Sequence, residues 1–319
     1  MPQTVRVAFI GCGSLANRMH YPSLAEMDDV ELVACCDLDE AKLGTTAERF
    51  GIPRRFTDYN RMLREVDCEA VYAIMPSLEP FPNIVVECIG AGKHVFLEKP
   101  PGVTLAACER MAEAAAARGV KTMVGFNRRF APVVEESRRR VAESGGVSQM
   151  MAEFHKDMLT TGPYWGVSIL TTDVIHVVDL LRHVCGEPVE VASFPEKRFA
   201  DWTNVYSALV AFDSGATGIL SANRAAGSRY ERFEIHGRGI SAYVRAPEEA
   251  RVWREGQREP EVLRGEVLAA SADPRRSYGY FAESRHFVDC ILADRRPLTD
   301  LSDALKTMQL VAAIESGRG

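Results

Sequence analysis

The stretch "VRVAFIGCGSLANRMHYPSL", Val5 to Leu24, decides how the rest of the chain is read. A β-favouring apolar run enters Gly11, Gly13 and Ala16, spaced G-x-G-x-x-A, where helical composition begins. Gly11 permits a tight turn, Gly13 leaves the backbone open to a pyrophosphate, and the small Ala16 lets helix and strand pack closely. The helix start then offers amide N–H groups to phosphate oxygens. Ser14 and Leu15 fall inside the same turn and are counted with it as cofactor contacts. The next apolar run, "ELVACC", ends in Asp37, 21 residues after Ala16. A carboxylate there holds ribose hydroxyls and repels a 2′-phosphate, and Leu38-Asp39 supplies no arginine to bind one. The pattern predicts a dinucleotide site that favours NAD over NADP.

Working outward, short apolar runs at 5–10, 31–36, 70–74, 94–97 and 121–125 alternate with helical stretches near 16–26, 39–50, 59–66, 81–91 and 104–118. The runs are apolar on both faces, as strands covered by helices must be. The alternation predicts an α/β fold, with a doubly wound parallel sheet over residues 1–126. The rhythm then changes. A helix near 130–143, a strand in "VSQMMAEFHKDM" and the apolar helix "ILTTDVIHVVDLLRHVCG" lead to short strand-like segments from 189 to 255. Their short connections predict mainly antiparallel pairing. Helices near 277–293 and 302–316 close an α+β domain spanning 127–319, expected to bind substrate.

Composition narrows the function classes. The chain has 319 residues, is 46% hydrophobic and carries a net charge of −6, which argues against a nucleic-acid partner. Its eight cysteines form no CxxC pair and predict neither a disulfide frame nor a zinc site. No window is long and apolar enough for a transmembrane helix, and the start shows no secretory pattern. The expectation is a cytoplasmic protein without a membrane partner.

Two further stretches carry chemistry. "HVFLEKPPG" (94–102) ends a buried strand in Glu98-Lys99 and then in two prolines. In open α/β sheets ligands gather at the carboxyl ends of strands, so the Lys99 ammonium can reach a substrate hydroxyl or ketone and stabilise alkoxide charge. A solvated strand tip is the plainer alternative. In the helix, His176 shares a face with Thr172, Asp173, Asp179 and His183. That stripe is either a buried hydrogen-bonded face or a catalytic one, and a metal is not favoured because no cysteine joins it. In "EFHKD", alternation sets Glu153, His155 and Asp157 on one face and Lys156 on the other. His155 contacts substrate if its face looks toward the cleft, and is otherwise on a solvated sheet. Tyr164-Trp165 either stack on a sugar ring or anchor their loop.

"GCGSLA", "AGKHVFLEKP", "GFNRRF" and "DVIHVVDLLR", in this order and approximate spacing, make the chain resemble the glucose–fructose oxidoreductase/inositol dehydrogenase/rhizopine catabolism (Gfo/Idh/MocA) family over essentially its whole length. The resemblance implies a Rossmann domain followed by a domain with a large open sheet, assembled as a homodimer or homotetramer. It implies that Lys99 is the catalytic lysine, that Glu98 lies beside the nicotinamide, and that the Lys99–Pro100 bond is cis. His176 becomes the general base, Asp179 orients its ring or holds the helix, Asn127 and Pro76 lie near the cofactor, and Arg129 reaches the substrate. Either arginine of "GFNRRF" could instead form a surface salt bridge. Two departures stand out. Thr172 replaces a frequent acid, with Asp173 its neighbour, and Phe81 replaces a frequent histidine. The implied activity is NAD(P)-dependent hydride transfer to or from a secondary alcohol of a sugar, inositol or sugar derivative. A glycosidase using NAD without net redox change and a non-catalytic NAD-binding regulator are the alternatives.

Overall fold

A computed structural model describes residues 4–317, so Met1–Gln3 and the last two residues named above lie outside the described residues. The chain forms two compact units. One comprises the chain up to Phe126 together with Tyr280–Leu305, and the other comprises Asn127–Gly279 and the chain from Lys306 onward.

The first unit is built on a six-stranded sheet in the order β3-β2-β1-β4-β5-β6. Its strands are β1 (Val5–Ile10), β2 (Val30–Cys36), β3 (Arg54–Phe56), β4 (Ala70–Ala73), β5 (His94–Glu98) and β6 (Thr122–Gly125), all parallel. This order reverses at β1/β4, which opens a crevice at the carboxyl ends of the strands. The central strands are buried on both faces, so their side chains run apolar without alternation. A π-helical turn (Ala16–His20) leads into α1 (Tyr21–Ala25), and α2 (Glu40–Phe50), α3 (Tyr59–Glu65), α4 (Phe81–Gly90) and α5 (Leu105–Arg118) fill the crossovers. Local chemistry sets their ends. Asp39 caps α2 by accepting from the N–H groups of Ala41 and Lys42, and Thr104 caps α5 from Ala107. Gly51 and Gly119 then end those helices in the left-handed region, where a side chain would be strained.

The second unit holds an eight-stranded sheet in the order β14-β13-β12-β11-β7-β10-β9-β8. The strands are β7 (Val147–Asp157), β8 (Pro188–Glu196), β9 (Val205–Phe212), β10 (Thr217–Asn223), β11 (Ala225–Gly237), β12 (Ile240–Arg245), β13 (Glu249–Arg254) and β14 (Glu261–Arg264). Among the described residues of this sheet only β7 and β10 pair in parallel, so the sheet is mainly antiparallel, as the short connections required. Helices α6 (Pro132–Glu143) and α7 (Ile175–Cys185) lie against it, and the short α8 (Gly265–Leu268) and α9 (Pro274–Ser277) follow β14. Met150, Ala152 and Phe154 of β7 are buried, whereas Met151, Glu153 and His155 on the opposite face are half-exposed. That second face also shows Leu209 and Tyr243 to solvent.

Tyr280–Leu305 returns to the first unit. Within it, α10 (Tyr280–Leu292) sets Phe287 edge-on to Tyr72 and Phe96, at 5.9 and 5.8 Å between ring centroids. Arg285 binds Asp29 at 2.6 Å. The last helix, α11 (Leu301–Glu315), gives its first residues to the first unit and the remainder to the second.

Candidate active site

In the first unit the parallel strands bring Gly11, Asp37, Pro76 and Glu98-Lys99 to one edge of the sheet, each just past or at a strand's carboxyl end. Gly11 adopts φ +110°, and a Cβ there would meet the Ile74 carbonyl oxygen at 2.1 Å, so no other residue fits. A Cβ on Gly13 would meet nothing within 4 Å, which leaves open space beside the first helical amides. That opening fits a pyrophosphate. Asp37 is fixed against this turn: its Oδ2 accepts from the Cys12 N–H at 2.7 Å and its Oδ1 from the Asp39 N–H at 2.9 Å. Each oxygen keeps a lone pair for a ribose hydroxyl. Ser14 and Leu15 occupy the exposed first turn, with Leu15 38% exposed. The buried Cys12 thiol is held below its ordinary range, chiefly by a hydrogen bond with Cys35. Pro76 is exposed in the segment after β4, and Phe81 is buried in the first turn of α4.

Glu98 is 6% exposed and its Oε1 lies 2.8 Å from His20 Nε2. The other oxygen accepts the backbone N–H of Lys99 at 3.2 Å. Lys99 is half-buried, and the Lys99–Pro100 bond is cis, as the resemblance implied.

In the second unit a π-helical turn (Leu170–Val174) precedes α7, which carries His176, 6% exposed. The wide turn changes what the neighbouring side chains reach. Thr172 Oγ1 donates to the Ser168 carbonyl at 3.0 Å and so serves the helix start. Asp173 accepts from Arg224 Nε at 3.1 Å, with Arg224 Nη2 in ion-pair range at 3.0 Å and Lys156 Nζ 3.9 Å away. Arg224 is fully buried over the Phe154 ring, and burial lowers its pKa against the opposing pull of Asp173. Lys156 Nζ also donates to Tyr164 Oη at 2.6 Å. Tyr164 and Trp165 are 40% and 52% exposed, with Trp165 at φ 55°.

The structure decides between alternatives that the sequence left open. His155 does not share the α7 side of the sheet. Its ring lies parallel to that of Tyr230, 6.3 Å away, and its same-face neighbour Glu153 binds Arg232. Lys156, on the other face as the alternation required, is the β7 residue beside Tyr164 and Asp173. Arg129 is 4% exposed, and its Nε and Nη2 donate to Asp179 at 2.7 and 2.5 Å, so this ion pair is buried and not on the surface. Asp179 also accepts from Thr307 at 2.8 Å, so it ties α7 to its surroundings. Asn127 is fully buried, donating to the Tyr278 carbonyl at 2.8 Å and accepting from Arg128 at 3.1 Å. Arg128 in turn grips Glu231 through two bonds, holding its carboxyl below the ordinary range although burial pushes the other way.

Comparison with known proteins decides the family. The profile described as "Oxidoreductase family, NAD-binding Rossmann fold" matches residues 5–126, and the C-terminal domain profile of the same family matches residues 139–242. The chain belongs to the Gfo/Idh/MocA oxidoreductase family. Among relatives of this family, the myo-inositol 2-dehydrogenase of Thermotoga maritima is 29% identical over 246 residues, 73% of each chain. The D-apiose dehydrogenase of Paraburkholderia graminis is 25% identical over 326 residues, covering 96% of this chain and 85% of that one. A crystal structure of an oxidoreductase from Agrobacterium radiobacter, in complex with NAD+, L-tartaric acid and magnesium, superposes with a TM-score of 0.85. It is 20% identical over 99% of this chain and 96% of that one, a likeness of fold. The Gfo/Idh/MocA assignment makes residues 5–126 an NAD-binding Rossmann domain.

Proposed function

We propose that this Gfo/Idh/MocA member is an NAD-dependent dehydrogenase oxidising a secondary alcohol of a sugar, an inositol or a related polyol, and reducing the matching ketone in reverse. The observation that carries the reading is Lys99, held at the strand end of the sheet edge that also bears the glycine turn and Asp37. The named activities of the inositol and apiose dehydrogenases support the substrate class.

The bound nicotinamide supplies the hydride acceptor. The chain's own groups handle the proton. In this reading His176 accepts the hydroxyl proton as the carbon–hydrogen bond gives up its hydride, and Lys99 donates a hydrogen bond to the oxygen while its charge develops. An imidazole suits the task because it changes charge near neutral pH. Asp37 holds the ribose hydroxyls, and Tyr164 and Trp165 offer aromatic surface to the apolar face of a sugar ring. Thr172, Asp173 and Arg129 shape the helix that carries the base. The exposed face of the second sheet joins copies of the chain in a homodimer or homotetramer, which light scattering tests.

A panel of sugars, inositols and nucleotide sugars, assayed for NADH formation with NAD and NADP side by side, tests the proposal. Turnover with a polyol and NAD is expected. Release of an aglycone without NADH, or NAD binding with no turnover across the panel, would replace it.

A further inference from the structure

We infer that His20 is a positioning residue for the Glu98-Lys99 pair, a role that rests on the acid–base reading of Lys99. His20 ends the π-helical turn that follows the glycines, and its side chain is wholly buried. The rings of Tyr72, Phe96 and Tyr280 surround it at centroid distances of 6.1, 5.2 and 5.7 Å. In such a cage an apolar ring would fill the volume without desolvating two nitrogens. The imidazole instead places Nε2 2.8 Å from Glu98 Oε1, while Nδ1 has no hydrogen-bond partner among the described residues. Its polarity is therefore directed at Glu98.

Glu98 in turn is held from three sides. His20 fixes one oxygen, the Lys99 N–H fixes the other, and Gly125 lets the carboxylate seat on β6. A Cβ on Gly125 would lie 3.0 Å from Oε1. A buried carboxylate deprived of one strong donor turns toward another, here the backbone N–H it already touches. The hydrogen-bond chain runs from the helix behind the pyrophosphate turn, through His20 and Glu98, to the backbone of Lys99. It ties the cofactor-binding motif to the group proposed to meet the substrate oxygen.

The test compares the holoenzyme with His20→Phe, His20→Gln and Lys99→Ala, measuring kcat, KM, NAD affinity, melting temperature and the pH profile of kcat. Phenylalanine keeps the ring and removes the donor; glutamine restores a donor. His20→Phe is expected to lower kcat about 10- to 100-fold, the scale of a small misplacement of a reacting group. NAD affinity and melting temperature stay at wild-type values, the pH midpoint of kcat moves, and His20→Gln recovers both kcat and the midpoint. Should the phenyl variant not fold, His20→Asn, smaller and too short to span the gap, takes its place with the same expectation.

Wild-type kcat in the donor-less variant overturns the inference, as does equal loss in His20→Gln. So does a stoichiometric divalent metal in the purified protein: a Glu283 oxygen lies within 4.8 Å of both groups, and coordination would then replace the hydrogen bond. Lys99→Ala separates the two readings. If it keeps full turnover, the role of Lys99 fails; if it is inactive while His20→Phe is normal, only the role of His20 fails.

Discussion

Asp37 shows how much one side chain settles. Its two oxygens are already anchored by backbone N–H groups of the turn and of the next helix, so the carboxylate is presented without having to be ordered on binding. Asp37→Asn keeps the shape and removes the charge. It is expected to weaken NAD about 10- to 100-fold, the worth of one or two charge-assisted hydrogen bonds, and to narrow the preference over NADP. Isothermal titration with both nucleotides measures this. At the groups proposed to handle the proton, Lys99→Ala and His176→Ala are each expected to lower turnover by at least about 100-fold, the usual scale for an acid–base group. Steady-state kinetics at saturating NAD decides each. The glycine spacing, Asp37 and the EKP tip were legible because their chemistry is local. Arg224 was not: a buried arginine reads in sequence like the solvated ones near it, and only the fold brings Asp173 to it.

At the scale of the element, periodicity revealed the long helices and the apolar strands, but not β3, whose Arg-Arg-Phe carries no pattern. Both π-helical turns were equally silent, because one extra residue per turn leaves no mark in composition. Alternation along β7 told which residues share a face, yet not which face the helices cover. That is why His155 stayed open between a substrate contact and a solvated face, and why Lys156 gained its neighbours Tyr164 and Asp173 only in the fold. The end of α7 offers a test of electrostatics. Arg182 Nε donates to Glu187 at 2.9 Å and Lys306 does so at 2.9 Å, and the Arg182 bond leads in holding the Glu187 carboxyl at about 2. A depressed carboxyl stabilises the fold above its unfolded pKa and loses that effect as pH falls through the folded value. Glu187→Gln is therefore expected to melt below wild type near neutrality, with the gap closing between about pH 4.5 and pH 2. The gap will be small, since the carboxylate is 42% exposed and water screens it. Thermal melts across that range show it.

At the scale of the whole molecule, the first unit is not one continuous stretch of chain. Thr299 pairs with Val124 through two hydrogen bonds, of 2.8 Å backbone to backbone and 2.7 Å from its hydroxyl, and the Leu301 N–H reaches Thr122 Oγ1 at 3.1 Å. Residues 299–301 thus occupy the outer edge of β6, which would otherwise be open to other strands. Losing Phe287 alone would remove about 3–5 kcal/mol of packing, a large part of a typical domain's net stability. A fragment ending at Phe126 is expected to show no cooperative melt, whereas the same fragment joined to 280–305 melts cooperatively and binds NAD. Calorimetry on the two fragments distinguishes these outcomes.

The same edge carries a consequence for synthesis. A growing chain makes the rim strand Thr122–Gly125 well before the ribosome delivers the segment that shields it. At bacterial and eukaryotic elongation speeds that delay lasts roughly ten to forty seconds, long compared with collapse of the nascent half. Throughout this window the rim strand lacks its cover, so newborn copies are expected to stick to one another unless a holding chaperone shields it.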